Sequence, residues 1–428
     1  MVTQVQPIPY GVGRFSAALV LVILLLLAVI AGGVYALYTQ LTEGLVVTGL
    51  RDIGTMGGSA WGLYIAFDVY FVGVSFAGIT TAALVRILNL HHLRAVSRMA
   101  ELLTIISLIL AAFSVLPDLG QPLRGIIYLF KYARPQSPFF GTFTMVIAGY
   151  LFASLVYFFL DGRRDAALCA RRAGRLQWFY RLWASGYRGT AEERERHDRA
   201  SFWLSLAILP VLVIAHSTLG FVFGLQVGRP GWFSALQAPA FVILAGVSGV
   251  GLLIVIAAIV RRVLGAHDRL TPEVFRWLGN MLMVLVAAYL YFMVVDWLTA
   301  TYAAPSHEAR ISRAIYFGRY AGVYWTSVAA LVAAFVLQFR QFMRQRYELS
   351  RIVLAGVLAN VAAVGKRMLI VVPSQTHGAL LPYPPGTYSP TWVEYGIILG
   401  LFGLGTLMYV VFSKIFPIIE LPEEGVEG

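Results

Sequence analysis

The chain has 428 residues, of which 59% are hydrophobic and only 13% charged, and its mean hydropathy is +0.75. Soluble domains are about 25% charged, so the composition excludes an ordinary soluble protein and indicates an integral membrane protein. The net charge of +12 would suggest nucleic acid as the partner of a soluble protein. In a membrane protein an excess of Lys and Arg first of all sets the topology, so we expect a lipid bilayer and no nucleic acid.

Apolar segments long enough to cross a bilayer, roughly 20 residues each, predict ten transmembrane helices. In chain order they cover about residues 15–38, 59–85, 98–116, 139–160, 201–225, 234–260, 274–298, 316–338, 349–372 and 392–416. We therefore predict an all-α integral membrane protein with a single polytopic domain over residues 1–428. Its helices 2–5, about 59–225, and 6–9, about 234–372, are each expected to form a four-helix bundle, with the first and tenth helices flanking them.

The distribution of positive charge predicts the orientation of these helices. The termini and even-numbered loops, counted together with Arg98 and Lys414 at the adjoining helix ends, carry 21 Lys and Arg residues, against seven in the odd-numbered loops, so both termini are expected on the cytoplasmic side of the cell inner membrane. The first apolar segment exceeds the length of a signal-peptide core and is expected to be retained. Arg86, Arg276 and Arg351 fall at inner helix ends, from which they can reach the interface.

The longest connection, residues 161–200, contains ten arginines and is predicted to be a cytoplasmic basic loop. Its apolar residues at helical spacing predict an amphipathic helix on the inner membrane surface, or alternatively a solvated connector. These residues are Leu168, Leu176, Phe179, Trp183 and Tyr187.

An ionisable residue within a span has a high free-energy cost, and it is therefore a candidate for function. Asp68 lies near the middle of the second predicted helix, on the same face as Trp61, Tyr64, Phe71 and Ser75. The alternative for Asp68 is a buried acid satisfied by a neighbouring hydroxyl or arginine. Small residues on this helix predict a seam for close packing, formed by Gly62, Ala66, Gly73 and Ala77.

His216 is the single histidine within a predicted span, and Pro210 lies six residues before it, where it is expected to disturb the helix. A haem held by two histidines from the spans is therefore excluded. The sole cysteine, Cys169, likewise excludes a Cys-ligated iron–sulfur cluster, and we expect no metal site in this chain. His216 is a candidate for proton handling, the alternative being a hydrogen-bonded packing residue.

Asp68 and His216 both fall roughly 13 Å below the predicted outer boundary, at about 1.5 Å per residue. Other charged residues also fall in the outer third of their helices, namely Asp296, Arg319, Lys366, Arg367 and Glu394. The inner side offers mainly hydroxyls, namely Thr80, Thr81 and Ser107, so no continuous proton path is expected. A carboxylate and an imidazole in an aromatic pocket suit a quinol, because each can accept a proton from a quinol oxygen.

Motifs along nearly the whole chain resemble the NrfD/PsrC family, the membrane subunits of polysulfide reductase-like complexes. The stretches W-G-x-Y-I-A at residues 61–66, D-L-G-x-P at 118–122 and S-P-F-F at 137–140 resemble the family's second-helix and outer-loop signatures. H-S at 216–217, G-W at 231–232, Y-S-P-T-W-V-E at 388–394 and F-P-I-I-E at 416–420 are similar to a ten-helix branch. That branch includes the membrane subunits of alternative complex III and of a hydrogenase.

The resemblance implies a subunit without haem or an iron–sulfur cluster of its own that binds menaquinol or another quinone in the outer half of the membrane. It further implies electron exchange with a ferredoxin-like iron–sulfur subunit and a molybdopterin-type subunit on the outer side. Such a chain is not catalytic alone. Asp68 and His216 match the region of the quinone pocket, with Trp61 and Tyr64 beside them, and Asp118 and Arg124 match its outer rim.

The chain departs from the family at two places. Gly141 and Thr142 stand where members often have an acid, and Lys366 and Arg367 stand where many of the ten-helix branch have Glu-Arg. The turn before the rim is expected to end its helix at Pro117, with Asp118 and Arg124 paired across it. The alternatives to quinone binding are a secondary transporter and a purely structural membrane anchor.

Overall fold

The computed structural model describes residues 10–50, 59–132, 134, 136, 143–171, 176–302, 305–376 and 386–421. These residues form fourteen α-helices and two short 3₁₀ turns, and within the described ranges the one β feature is an isolated bridge between Leu50 and Ser59. In chain order the helices are α1 (Ala17–Glu43), α2 (Leu63–Ile87), α3 (Arg94–Asp118), α4 (Pro122–Tyr132), α5 (Phe143–Ala170), α6 (Gln177–Ala184), α7 (Ala191–Gly224), α8 (Gln237–Val263), α9 (Pro272–Tyr302), α10 (Ser306–Tyr316), α11 (Ala321–Arg344), α12 (Leu349–Val371), α13 (Pro373–Thr376) and α14 (Trp392–Ile415).

Ten of the described helices are long and apolar enough to cross a membrane, which confirms the all-α, ten-span prediction. They are α1, α2, α3, α5, α7, α8, α9, α11, α12 and α14. The chain is a multi-pass membrane protein. We call the end of the bundle at which α2 begins and α3 ends the outer end, after the prediction from charge.

The helix α2 lies at the centre of the molecule and packs against α3, α7, α8 and α12. Two members of the small-residue seam allow its close approach to α8. A Cβ added to Gly73 would lie 3.6 Å from the Ala245 Cα, and one added to Gly249 would lie 2.7 Å from the Ala77 Cβ. The two predicted groups of helices therefore contact each other through α2 and α8. The first group is α2, α3, α5 and α7, and the second is α8, α9, α11 and α12. Their division into two bundles stays a prediction.

The helix α1 is peripheral and packs mainly on α14. The two backbones approach closely at Gly33 and Gly400, because a Cβ added to Gly33 would lie 2.7 Å from the Gly400 Cα. Small residues of this kind replace hydrophobic burial as the basis of helix association in lipid.

The connection over residues 161–200 contains more helix than expected, because α5 continues to Ala170 and α7 already begins at Ala191. A capping box between Thr190 and Glu193 fixes the start of α7. The predicted amphipathic helix is reduced to the eight residues of α6, since Leu168 belongs to α5 and Tyr187 follows α6. Its Trp183 packs on the protein, stacked on Phe416 at a centroid distance of 4.2 Å.

The predicted end of α3 at Pro117 is wrong by one residue, and the predicted disturbance at Pro210 does not interrupt α7. The helix α3 runs through Pro117 and ends one residue later, at Asp118, and α7 runs through Pro210. A missing N–H in the last turn of a helix removes one hydrogen bond without changing the direction of the chain.

The expectation that the inner half offers mainly hydroxyls was wrong. Arg98 is buried and donates to Asp165 at 2.7 Å and to Asp161 at 3.3 Å, while Arg86 also pairs with Asp161 instead of extending to the interface. Glu101 is buried beside this network. These charges lie at helix ends, where hydropathy averaged over a span does not register them, and their pairing offsets the cost of burial. The side chains of Thr80 and Thr81 lie outside the described residues.

For the other two inner-end arginines, the predicted extension to the membrane interface stays a prediction. Arg276 and Arg351 are exposed and pair with Glu273 and Glu348 at 3.0 and 2.9 Å.

Candidate functional site

Two of the sequence-predicted carboxylates, Asp68 and Asp118, approach each other at the outer end of α2 and α3. Asp68 is 6% exposed, and among the described residues its carboxylate has no hydrogen bond or ion pair. The Oδ1 atom of Asp118 is also buried, and none of the described residues donates a hydrogen bond to it. The two side chains lie within electrostatic range of each other, so a buried acid, Asp68, and a half-buried one, Asp118, lie close together with unused hydrogen-bonding capacity.

Tyr64 is held in place above Asp68 by a chain of hydrogen bonds that crosses three helices. Its hydroxyl donates to the Gln40 Oε1 atom at 2.5 Å, and the Gln40 Nε2 atom donates to the Pro117 carbonyl at 2.7 Å. Gln40 and Tyr64 are both buried. Sequence reasoning missed Gln40, although a glutamine in the last turns of a strongly apolar helix is the kind of signal that could have identified it.

Glu394 is a third acid at this end, within electrostatic range of Asp118, but it is fully satisfied. It accepts hydrogen bonds from the Tyr388 hydroxyl at 2.6 Å, from the Gly49 N–H at 2.7 Å and from the Thr391 N–H at 3.0 Å. Burial and the neighbouring carboxylate of Glu394 raise the pKa of Tyr388 above its ordinary value, so this hydroxyl remains a donor at neutral pH. Glu394 therefore caps α14 and ties it to the segment after α1.

Two groups of aromatic rings pack along the outer half of α2, the helix that carries Asp68. Trp61 stacks on Trp232 at a centroid distance of 5.7 Å. Its backbone N–H donates to the Gln375 side chain at 3.0 Å, which joins the residues just before α2 to the short helix α13 that follows α12. On the other side Phe67 and Phe71 contact Phe402 of α14 at 5.5 and 5.3 Å. The predicted pocket of an acid lined by aromatic rings stays a prediction.

His216 is placed differently from the prediction that groups it with Asp68. It is 1% exposed, with its Nδ1 atom 2.8 Å from the Leu212 carbonyl oxygen and its Nε2 atom 2.9 Å from the Val72 carbonyl oxygen. Val72 lies four residues beyond Asp68, or roughly 6 Å further along α2. Both ring nitrogens are thus engaged by the backbone, and His216 connects α7 to α2 below the acids.

Arg124 does not pair with Asp118, so the predicted ion pair across the turn is wrong. Arg124 is exposed on α4, and no acidic partner for it is found within the described ranges. The helix α4 begins at Pro122, so Arg124 lies in its first turn. The neighbouring segment with Gly141 and Thr142, and the S-P-F-F motif at 137–140, lie outside the described residues.

The fold and this site define a class: a ten-span membrane protein with unpaired carboxylates and aromatic rings at one end of its helices. The model of the family described as "Polysulphide reductase, NrfD" matches residues 52–379. The chain belongs to the NrfD family, as the resemblance of its motifs indicated.

Curated relatives match over nearly the whole chain. A Halobacterium salinarum protein, whose name assigns it to dimethyl sulfoxide reductase as a membrane subunit, is 30% identical over 92% of this chain and 90% of its own length. A protein of Mesobacillus selenatarsenatis that is named as a subunit of selenate reductase is 25% identical over 92% of each chain. The Hdr-like menaquinol oxidoreductase integral membrane subunit of Archaeoglobus fulgidus is 24% identical over 95% of this chain and 94% of its own.

Proposed function

We propose that this protein is the quinone-binding membrane subunit of a multi-subunit iron–sulfur oxidoreductase of the molybdopterin type. It exchanges electrons between menaquinol, or another quinone, in the outer half of the membrane and a ferredoxin-like iron–sulfur subunit docked at the outer end. Membership of the NrfD family supports this proposal, as do relatives named as subunits of two reductases and of a menaquinol oxidoreductase. The protein has its termini on the cytoplasmic side of the cell inner membrane and is not catalytic without its partners.

The single observation that carries the proposal is the unpaired, buried carboxylate of Asp68 near the unpaired Oδ1 atom of Asp118. A buried carboxylate normally has partners that offset its desolvation. Carboxyl groups retained without them are available for a ligand that brings its own donors. A quinol hydroxyl is such a donor, so the residues present fit this group.

The aromatic rings fit the rest of a quinone. Trp61, with Trp232 behind it, and the rings of Phe67 and Phe71 supply flat apolar surfaces beside the carboxylates. A quinol supplies two electrons and two protons when it is oxidised.

The side chains have separate tasks in this proposal. Asp68 accepts a proton at its carboxylate, and Asp118 accepts a hydrogen bond and passes a proton toward the outer end, where α3 terminates. Tyr64, fixed by Gln40, orients the head group. His216 acts indirectly, because its contact with the Val72 carbonyl sets the position of α2. Arg124 is exposed at the outer rim.

The experiment is to purify the complex through a tag on this chain, extract it with organic solvent and identify quinones and co-purifying proteins by mass spectrometry. We expect about one quinone per chain together with an iron–sulfur protein and a molybdopterin-type protein. A preparation of this chain that is active in transport as a homo-oligomer, with neither quinone nor iron–sulfur protein, would contradict the proposal.

A further inference from the structure

A second polar site lies at the outer end of α8, α9 and α12, apart from the acids on α2 and α3. It is a cavity of about 60 Å³, walled on one side by Phe241, Leu244 and Met293 and on the other by Asp296, Lys366 and Arg367. Since one water needs roughly 10–15 Å³ on this measure, the cavity has room for about four waters. It is large enough for a tetrahedral head group.

Arg367 at the base of the cavity is buried without any hydrogen-bond acceptor. Its side chain is 2% exposed, its Nη1 atom is unpartnered, and none of the described residues accepts a hydrogen bond from its guanidinium. The positive charge of Arg367 is stabilised by a cation–π contact with Phe241, whose ring centre lies 4.2 Å from the Cζ atom. A guanidinium presents five N–H donors and no acceptor, and the described residues use none of this hydrogen-bonding capacity.

The charges that line the cavity do not balance. Lys366 adds a second positive charge, and its Nζ atom lies 5.4 Å from the centre of the Tyr324 ring. Asp296 is the one acid among the lining residues, it is exposed at the mouth, and within the described part of the chain it forms no ion pair with either base. Two positive charges against one negative charge leave an excess of one positive charge in a region of low dielectric constant, which is unfavourable unless an anion is bound.

We propose that this cavity binds a monoanionic phosphate group, supplied by the phosphodiester of an anionic phospholipid or by inorganic phosphate. The planar fork of Arg367 suits bidentate binding of phosphate oxygens, and Lys366 adds a point charge. A single negative charge neutralises the excess, whereas Asp296 at the mouth disfavours a dianion. The apolar wall of Phe241, Leu244 and Met293 can accommodate the glycerol and first methylenes of a lipid.

The test uses the purified complex in a phosphate-free buffer containing a neutral detergent. The apparent thermal midpoint is measured with added short-chain phosphatidylglycerol and, separately, with inorganic phosphate. At saturation we expect the midpoint of the wild-type complex to rise by about 3 °C or more. A rise with phosphatidylglycerol alone identifies a lipid as the source, and a rise with both identifies the free oxyanion as sufficient.

Two variants separate this site from general electrostatic effects. Arg367→Gln should lose the response to ligand while raising the midpoint of the ligand-free complex, because it removes a buried charge that lacks a partner. Arg313→Gln, which removes an exposed positive charge on α10, should keep the full response. The proposal is overturned if neither ligand shifts the wild-type midpoint, or if Arg367→Gln responds as the wild type does. The readout is binding, so it is independent of quinol turnover.

Discussion

The Nε2 atom of His216 lies 2.9 Å from the carbonyl oxygen of Val72, so that α7 is bonded to α2 one turn below Asp68. The other ring nitrogen contacts the Leu212 carbonyl. A neutral imidazole has one N–H, so it donates to one of the two carbonyls at a time, and both ring nitrogens face the backbone. This arrangement makes His216 a positioning residue for the helix that carries the candidate proton acceptor.

Replacing His216 by Ala should therefore weaken the packing of α7 on α2. The change removes a buried hydrogen bond between two helices and leaves a cavity against Phe76 and Tyr150, which contact the ring. We expect a loss of about 1–3 kcal/mol, seen as a lower thermal midpoint and a lower yield of assembled complex. His216→Gln, which keeps a donor, should lose less. An Ala variant as stable as the wild type would show that the bond between α7 and α2 contributes nothing.

Asp68→Asn should impair quinol-linked electron transfer without impairing assembly. The amide keeps the size of the side chain but accepts no proton, and loss of a general base typically costs about 10²–10⁴ in rate. Turnover with a soluble menaquinol analogue should fall by at least about tenfold, with the bound quinone content measured in parallel. Asp198→Asn, at an exposed acid of α7, is the matched control and should keep wild-type turnover. Full turnover by Asp68→Asn in a complete complex would exclude Asp68 as the proton acceptor.

Adjacent glycines in α1 should respond in opposite ways to the same substitution. A Cβ at Gly33 would lie 2.7 Å from the Gly400 Cα, whereas a Cβ at Gly32 meets nothing within 4 Å. Gly33→Ala should therefore separate α1 from α14 and lower the thermal midpoint, while Gly32→Ala should leave it unchanged or raise it slightly, because Ala is the better helix former. Equal midpoints for the two variants would mean that the contact between the helices does not hold α1 in place.

The C-terminal segment after α14 should make stability depend on pH. Burial, together with the nearby charge of Asp161, raises the pKa of Glu420 to about 7, although Arg98 opposes this shift. Between these two pKa values the folded state binds a proton that the unfolded state has released. The protonated carboxyl group of Glu420 therefore contributes fully to stability below the ordinary pKa of a glutamate, about 4.3. This contribution is lost as the pH rises through about 7.

The measurement for this prediction is the thermal midpoint between about pH 5 and pH 8, a range that brackets the raised pKa. Glu420→Gln should show a smaller decline than the wild type over that interval, since an amide does not titrate. Parallel pH profiles for the two proteins would contradict the assignment of this titration to Glu420.

The sequence by itself determined the membrane class, the ten spans and the family. Span length and apolar content are local properties, because a bilayer-crossing helix satisfies its own backbone hydrogen bonds without reference to other segments. Asp68 could be found for the same reason, since a charge within an apolar run is conspicuous wherever the helix is placed. The boundaries near Thr190 were missed because charged residues beyond the apolar stretch still form helix.

Only the tertiary structure decided which polar groups are satisfied and which are free. Glu394 and Asp68 look alike in sequence as acids in the outer parts of their helices, yet Glu394 accepts three hydrogen bonds, two from the stretch just before α14 and one from the distant Gly49, while Asp68 accepts none from the described residues. Arg98 and Arg367 are both buried, but Arg98 meets two aspartates and Arg367 meets an aromatic ring. Gly49 lies 345 residues from Glu394, and Asp161 and Asp165 lie 63 and 67 residues from Arg98, so helix packing determines whether these distant partners reach a buried charge.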